Sequence, residues 1–305
     1  MVKTIGIKGA AYELGEVIGV VDELANKNEL LIEFEMPNIS ELWGWENYRK
    51  SERSLAQLAI ASAEKTLQAA NKSAEDIDTV MICSCTPLNY QQQNDILGEI
   101  YQSLGLPFVL SLWVGGAGCA SLFSAVGQAK SMIENGDAKQ VLVITTDKIT
   151  SEHHRFQRYG VLSDGAASFI VSADEQTDFS ILGDMVLSSP EALYSPQKGF
   201  QQKCTLIHAV FERFTEKYSD DLSDVQAVLA SNVFNPIQEI ELSVMPFEDA
   251  NGYEDNNLRY GHCWAADPVI NLVDLCNDPA HQDDKKLLLS TTAHGHFGLV
   301  ALVRN

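Results

Sequence analysis

The chain has 305 residues, 45% hydrophobic and 21% charged, enough for one large domain or two fused halves that each bury a core. Its 42 acidic against 21 basic residues give a formal charge of −21, which repels nucleic-acid phosphates and anionic membranes, and no Lys/Arg-rich run offsets this. No segment has the uninterrupted apolar length of a membrane span, and the amino-terminal stretch lacks the apolar core of a signal peptide. A cytoplasmic location with reduced thiols is therefore expected, and six cysteines without a CxxC pair do not point to zinc.

In chain order, Ala56, Ile60, Ala63 and Leu67 predict a helix over "ERSLAQLAIASAEKTLQAA". The apolar run "TVMICSC" then reads as a buried strand. A helix over about 92–103 and a short strand over about 107–112 follow. Next comes "WVGGAGCASLFSAV", where Gly115, Gly116 and Gly118 let the backbone bend before Leu122, Phe123 and Val126 take up helical spacing. Cys119 is thus expected at the first turn of a helix, where free N–H groups and the helix dipole favour a thiolate and can receive an oxyanion. From this stretch alone, a small cysteine packing a tight elbow is the simpler reading. The helix should stop at Asn135-Gly136, with buried strands at "QVLVITT" and, after the turn "LSDG", at "GAASFIVSA"; Asp164 reads as a turn residue.

The second half repeats the order. "LIHAVFERFTEKY" is helical, "VQAVLASN" a strand and "PIQEIELSV" a short helix; the glycine elbow "RYGHCWAAD" precedes a helix at "PVINLVDLC", and strands follow at "KLLLSTT" and "FGLVALVR". Cys119 lies about 40 residues after the strand start at Thr79, and His262 about 37 after the one at Val225, so the pattern suggests a duplication. Packed about a pseudo-twofold axis, the halves would place Cys119 and His262 on equivalent elbows facing each other.

These features resemble the thiolase superfamily, and most closely the ketoacyl-acyl-carrier-protein synthase III group. The similarity rests on the Cys119 elbow, "LSDGAASFIV", "RYGHCWAAD" and the closing "HGHFGLVALVR", in that order. The resemblance implies an α/β, thiolase-like, duplicated five-layered α-β-α-β-α fold. An amino-terminal half, 1–175, would carry the nucleophile; a carboxy-terminal half, 176–305, would carry Asn232, His262 and the Gly295–Gly298 loop. It also implies a homodimer, no permanent cofactor or metal, and acyl-CoA or acyl-phosphopantetheine as substrate, with an acyl-carrier protein as a candidate partner. Cys119 would become the acyl-thioester, and the backbone N–H groups of Cys119 and Gly295 would form the oxyanion hole.

The sequence departs from the family at two stations. "NVFN" puts Asn232 where the family has its histidine, and His262 stands at the family's asparagine position. Either the exchange is tolerated, since both residues donate hydrogen bonds and His262 can serve as a base, or a shift of about 1 Å costs on the order of 100-fold in enolate stabilisation. The second case removes condensation and leaves acyl transfer to a small-molecule nucleophile in lipid or secondary metabolism, which is the favoured expectation. A decarboxylative ketoacyl synthase and a catalytically silent partner of a heterodimeric ketosynthase are the alternatives.

The acidic run "PIQEIELSVMPFEDANGYEDN" weakens the carrier-protein route. Arg49, Lys50, Arg53, Arg155 and Arg158 are candidate coenzyme A contacts but read better as surface residues. Trp43 and Trp45 suit an adenine contact or core packing equally. His294 and His296 are candidate second bases or substrate contacts, with packing the competing role. His153, His154, His208 and His281 read as structural or exposed, and Cys263 as small and buried.

Overall fold

Buried apolar runs dominate the strands, and their pairing sets the architecture. The computed structural model describes residues 4–174, 176–194, 199–219, 222–247 and 251–305. Among these described residues, ten strands form the main sheet. They are β1 (Gly6–Leu14), β2 (Thr79–Cys83), β3 (Leu110–Val114), β4 (Gln140–Asp147), β5 (Gly165–Ser172), β6 (Phe179–Ser188), β7 (Ala227–Leu229), β8 (Asn251–Gly252), β9 (Lys286–Ala293) and β10 (His296–Arg304). Their spatial order is β8-β7-β9-β10-β6-β1-β5-β4-β2-β3. Read outward from the centre, the first half runs 1-5-4-2-3 and the second runs 6-10-9-7-8. The pair types match as well. β2 is parallel to β3 and β4, as β7 is to β8 and β9, while β5 and β10 are antiparallel to both their neighbours. The halves join where β1 pairs with β6 at Gly6↔Ser180 and Ile7↔Phe179.

The helices repeat in the same way. α1 (Leu55–Ala69), α2 (Tyr90–Leu104) and α3 (Ser121–Asn135) connect the first-half strands; α4 (Gly199–Tyr218), α5 (Asn235–Ser243) and α6 (Asp267–Asn277) connect the second. Capping boxes at Ser54/Gln57 and Asn89/Gln92 start α1 and α2, satisfying N–H groups that have no partner within the helix. Gly136, in the left-handed region at φ +82°, ends α3 as the Asn-Gly pair predicts.

Strand residues alternate between two layers, which is why these runs are apolar throughout. Val80, Ile82, Leu142 and Ile144 face Ala59, Ala63 and Leu67 of α1. Their neighbours Met81, Cys83, Val141 and Val143 face a central layer with Phe123 and Val126 of α3 and Val269 and Ile270 of α6. On the far side, Leu288, Phe297 and Leu299 pack on Ile207, Val210 and Phe214 of α4. Two outer helical layers, two half-sheets and a shared layer of α3 and α6 give the five-layered α/β fold.

The predicted strand at 107–112 is found at Leu110–Val114, and the strand expected to start at Val225 starts at Ala227, because loops precede both. Arg155, expected on the surface, is fully buried, its guanidinium donating to the Leu162 carbonyl at 2.8 Å and paired with Glu152 and Asp164. Asp164, also fully buried, accepts from the Ser51 and Ile149 N–H groups and so ties three segments together. Trp45 is 3% exposed and packs on Phe156 and Phe234, with Trp43 stacked on it.

Candidate active site

Cys119 sits in a short 3-10 turn, Gly118–Ala120, that leads into α3. Gly118 has φ +55°, and a Cβ there would come within 2.7 Å of the Ala293 Cβ, so only glycine lets the hairpin between β9 and β10 approach the turn this closely. Cys119 is 7% exposed.

The equivalent elbow carries His262. Gly261, at φ +67° and ψ −163°, adopts a conformation open only to glycine, and a Cβ would strike the Val161 carbonyl at 2.7 Å. The His262 backbone is held at both ends: its N–H donates to Val161 O and its carbonyl accepts from Ser163 N, each at 2.8 Å. The two elbows meet, with Cys119 Sγ 4.0 Å from His262 Nε2 across 143 residues of sequence.

Asp267, absent from the sequence-derived candidates, completes the arrangement. Its Oδ2 lies 2.5 Å from His262 Nδ1. A carboxylate cannot donate, so Nδ1 carries the proton and Nε2 is turned to the sulfur. Asp267 is fully buried and accepts three more hydrogen bonds, from the Asn232 N–H and the Cys263 N–H at 2.6 Å each and from Asn232 Nδ2 at 3.3 Å. Four donors thus converge on this one buried carboxylate. Its place five residues after His262, at the first turn of α6, was the available signal, but an aspartate there reads equally as a helix-start residue.

Asn232 is also buried. Its amide nitrogen points to Asp267, and its oxygen accepts from Asn271 Nδ2 at 2.9 Å, which in turn bonds the Ala230 carbonyl. Its side chain thus braces the carboxylate. Ala293, just before the hairpin turn at His294-Gly295, lies against Gly118 of the Cys119 turn, and the Gly295 carbonyl accepts from Ser189 N at 2.8 Å. His294 is exposed, and His296 Nδ1 is 2.7 Å from Ser188 Oγ.

A second cysteine enters the site unannounced by the sequence. Cys85 Sγ lies 3.6 Å from Cys119 Sγ. Cys85 follows β2 in an apolar run, and nothing in its spacing links it to a residue 34 positions away. The Cys85 thiol, opposed by burial and joined by His262, lowers Cys119 to about 6. Burial alone would push His262 down, but the Asp267 charge and hydrogen bond, with Cys119 adding to them, raise it to about 10. Both shifts run in the direction of a thiolate beside an imidazolium. Asp147, buried under the Cys85 loop, is raised to about 7 by burial and then by the Cys119 charge. Among the described residues no group of three metal-ligating side chains occurs.

Comparison with known proteins agrees with the fold. Residues 116–189 match the family described as 3-Oxoacyl-[acyl-carrier-protein (ACP)] synthase III. The mycobacterial beta-ketoacyl-[acyl-carrier-protein] synthase III of Mycobacterium tuberculosis is 30% identical over 144 residues, 47% of this chain and 41% of that protein; the matched part is thus less than half of the relative's length. Two solved structures superpose over nearly the whole chain. ChlB3, described as an acyltransferase, does so with a TM-score of 0.81 at 16% identity, covering 99% of this chain and 98% of its own. The 3-oxoacyl-[acyl-carrier-protein] synthase III of Aquifex aeolicus gives 0.78 at 18%, covering 98% and 99%. At such identities these likenesses establish the thiolase-type fold.

Proposed function

We propose that this thiolase-fold chain, similar to the ketoacyl synthase III family, is an acyltransferase that carries its acyl group on Cys119. The observation behind this reading is the line Cys119–His262–Asp267, with contacts of 4.0 and 2.5 Å, in which Asn232 braces the carboxylate. The thiolate attacks the thioester carbonyl of an acyl-CoA or acyl-carrier protein. The Cys119 and Gly295 N–H groups receive the oxyanion, and the leaving thiolate takes the proton from His262 Nε2. Neutral His262 then accepts the proton of an entering hydroxyl or amine as it attacks the acyl-cysteine, and departure of the Cys119 thiolate restores the ion pair. Asp267 holds the ring in the tautomer both steps require.

Decarboxylative condensation is the second reading, favoured by the names of the matched family and its relatives. It calls for two neutral donors on one thioester carbonyl, and Asn232 Nδ2 gives one of its two N–H groups to Asp267 at 3.3 Å. Both readings fall within acyl transfer or condensation in lipid metabolism. The proposal further takes the two half-sheets as duplicated halves dividing near residue 175. A homodimer would form through the β3 edge, where Phe108 and Leu110 are exposed. A cytoplasmic setting fits six free cysteines. Among the described residues no helix is long and apolar enough to cross a membrane.

The test is intact mass after incubation with a panel of acyl-CoA thioesters. An adduct lost in Cys119→Ala supports the reading; no adduct, or one that persists in that variant, defeats it. Release of carbon dioxide from malonyl thioester would favour condensation.

A further inference from the structure

The acyl-transfer cycle uses one sulfur, yet the site holds two. Cys85 Sγ and Cys119 Sγ are 3.6 Å apart, and a disulfide of about 2.0 Å needs the sulfurs to close by only about 1.6 Å. The Cys85 loop is anchored in this place. Asp147 Oδ1, at the end of β4, accepts from Ser84 Oγ at 2.9 Å, Cys85 N at 2.6 Å and Thr86 N at 2.8 Å, so the backbone carrying the second thiol is fixed over the first. The other thiols nearby are differently placed. Cys83 is fully buried with its Sγ 3.6 Å from the Ser121 carbonyl, and Cys263 is fully buried beside Asp267. Cys85 is partly exposed and Cys119 retains 7% exposure, so a small oxidant has a route to the pair.

We propose that Cys85 and Cys119 form a site of reversible oxidation by hydroperoxides, in which a disulfide between them closes the active site and protects its nucleophile. The Cys119 thiolate attacks a peroxide oxygen and the O–O bond breaks. Sulfur is oxidised by two electrons to sulfenic acid, and the leaving oxygen is released as water or alcohol with the proton that the imidazolium supplies. The Cys85 thiol then attacks the sulfenic sulfur, the S–O bond breaks and a second water leaves as the disulfide forms. A low-molecular-weight thiol reverses the change by exchange. Without Cys85, the sulfenic acid proceeds to sulfinic acid, which such thiols do not reduce. Only the loss of acyl transfer on oxidation rests on Cys119 being the acyl carrier; the bond itself does not.

The test begins with reduced protein under argon, titrated with hydrogen peroxide. The wild-type chain should become about 2 Da lighter, take no acyl group from acyl-CoA, and recover both mass and acylation with dithiothreitol. One tryptic peptide, 73–130, carries Cys83, Cys85 and Cys119, so further cleavage at Glu99 should leave two fragments joined until reduction. Cys83→Ser should keep the link. Cys85→Ala and Cys85→Ser should instead gain about 32 Da at Cys119, with no rescue by dithiothreitol. Over-oxidation of Cys119 in the wild type without a joined pair, or a link that survives Cys85→Ala, overturns the proposal. A reduced protein that never accepts an acyl group defeats the transfer reading, while the 2 Da change still reports on the disulfide.

Discussion

The two elbows occupy equivalent places in the duplicated fold, yet they are built in opposite ways. The Cys119 elbow is glycine-rich and packs small atoms against the β9–β10 hairpin. Its sulfur has Cys85 Sγ at 3.6 Å and His262 Nε2 at 4.0 Å as polar neighbours. The His262 elbow is saturated with hydrogen bonds. Asp267 accepts four of them, and Asn232, Asn271 and Asn256 extend the network behind it. One elbow leaves its sulfur with few polar contacts, while the other holds its imidazole at a fixed angle. In the proposed acyl transfer, a nucleophile that must be acylated and released needs the first arrangement, and a base that must return to the same tautomer needs the second.

Removing either side breaks this contrast most severely. Cys119→Ala should abolish the acyl adduct outright, read by intact mass. Asp267→Asn keeps the shape but reverses the polarity of the bond to Nδ1; acyl transfer should fall by about 10²–10⁴-fold, measured as single-turnover rates. Asp267→Ala adds a folding cost, because it strands buried donors, and should lower stability by about 3–5 kcal/mol in denaturant titration. A normal transfer rate in Asp267→Asn would show that the carboxylate has no part in holding the imidazole.

The electrostatic half of the comparison is sharpened by pH. With Cys119 lowered to about 6 and His262 raised to about 10, alkylation by iodoacetamide should rise as pH climbs through about 6, where the thiolate forms. Acylation should fall as pH passes about 10, where the proton needed by the leaving thiolate is lost. The two apparent values belong to the pair. Cys85→Ala should move the lower limb to higher pH, since the donor that most favours the thiolate is gone; an unmoved limb would show that Cys85 does not tune the nucleophile. Away from both elbows the effects are on stability alone. Arg155→Ala should cost about 3–5 kcal/mol by leaving Asp164 buried and without its cation. Ser54→Ala should cost about 1 kcal/mol through the lost cap on α1.

Much of the fold was legible because it rests on local periodicity. Apolar runs such as "TVMICSC" and "QVLVITT" became strands buried on both faces, and the spacing of Ala56, Ile60, Ala63 and Leu67 became α1. Cys119 and His262 stood out because glycine elbows recur at matching distances along the two halves. Asp267 and Cys85 did not, since an aspartate at a helix start and a cysteine in an apolar run have ordinary local explanations. Arg155 misled for a similar reason: arginines are usually exposed, and only the three-dimensional arrangement supplies the carbonyls and carboxylates that allow one to be buried.

The chain by itself determined the elements, their repeated order and the two bends, because periodicity and glycine act over a few neighbouring residues. Tertiary structure alone decided that a thiol 34 residues upstream and an imidazole 143 residues downstream converge on Cys119, and that Asn232 meets the Asp267 carboxylate. Such meetings depend on how two half-sheets share one helical layer. Contact and side-chain direction there are set by packing between the halves, and no local pattern encodes them.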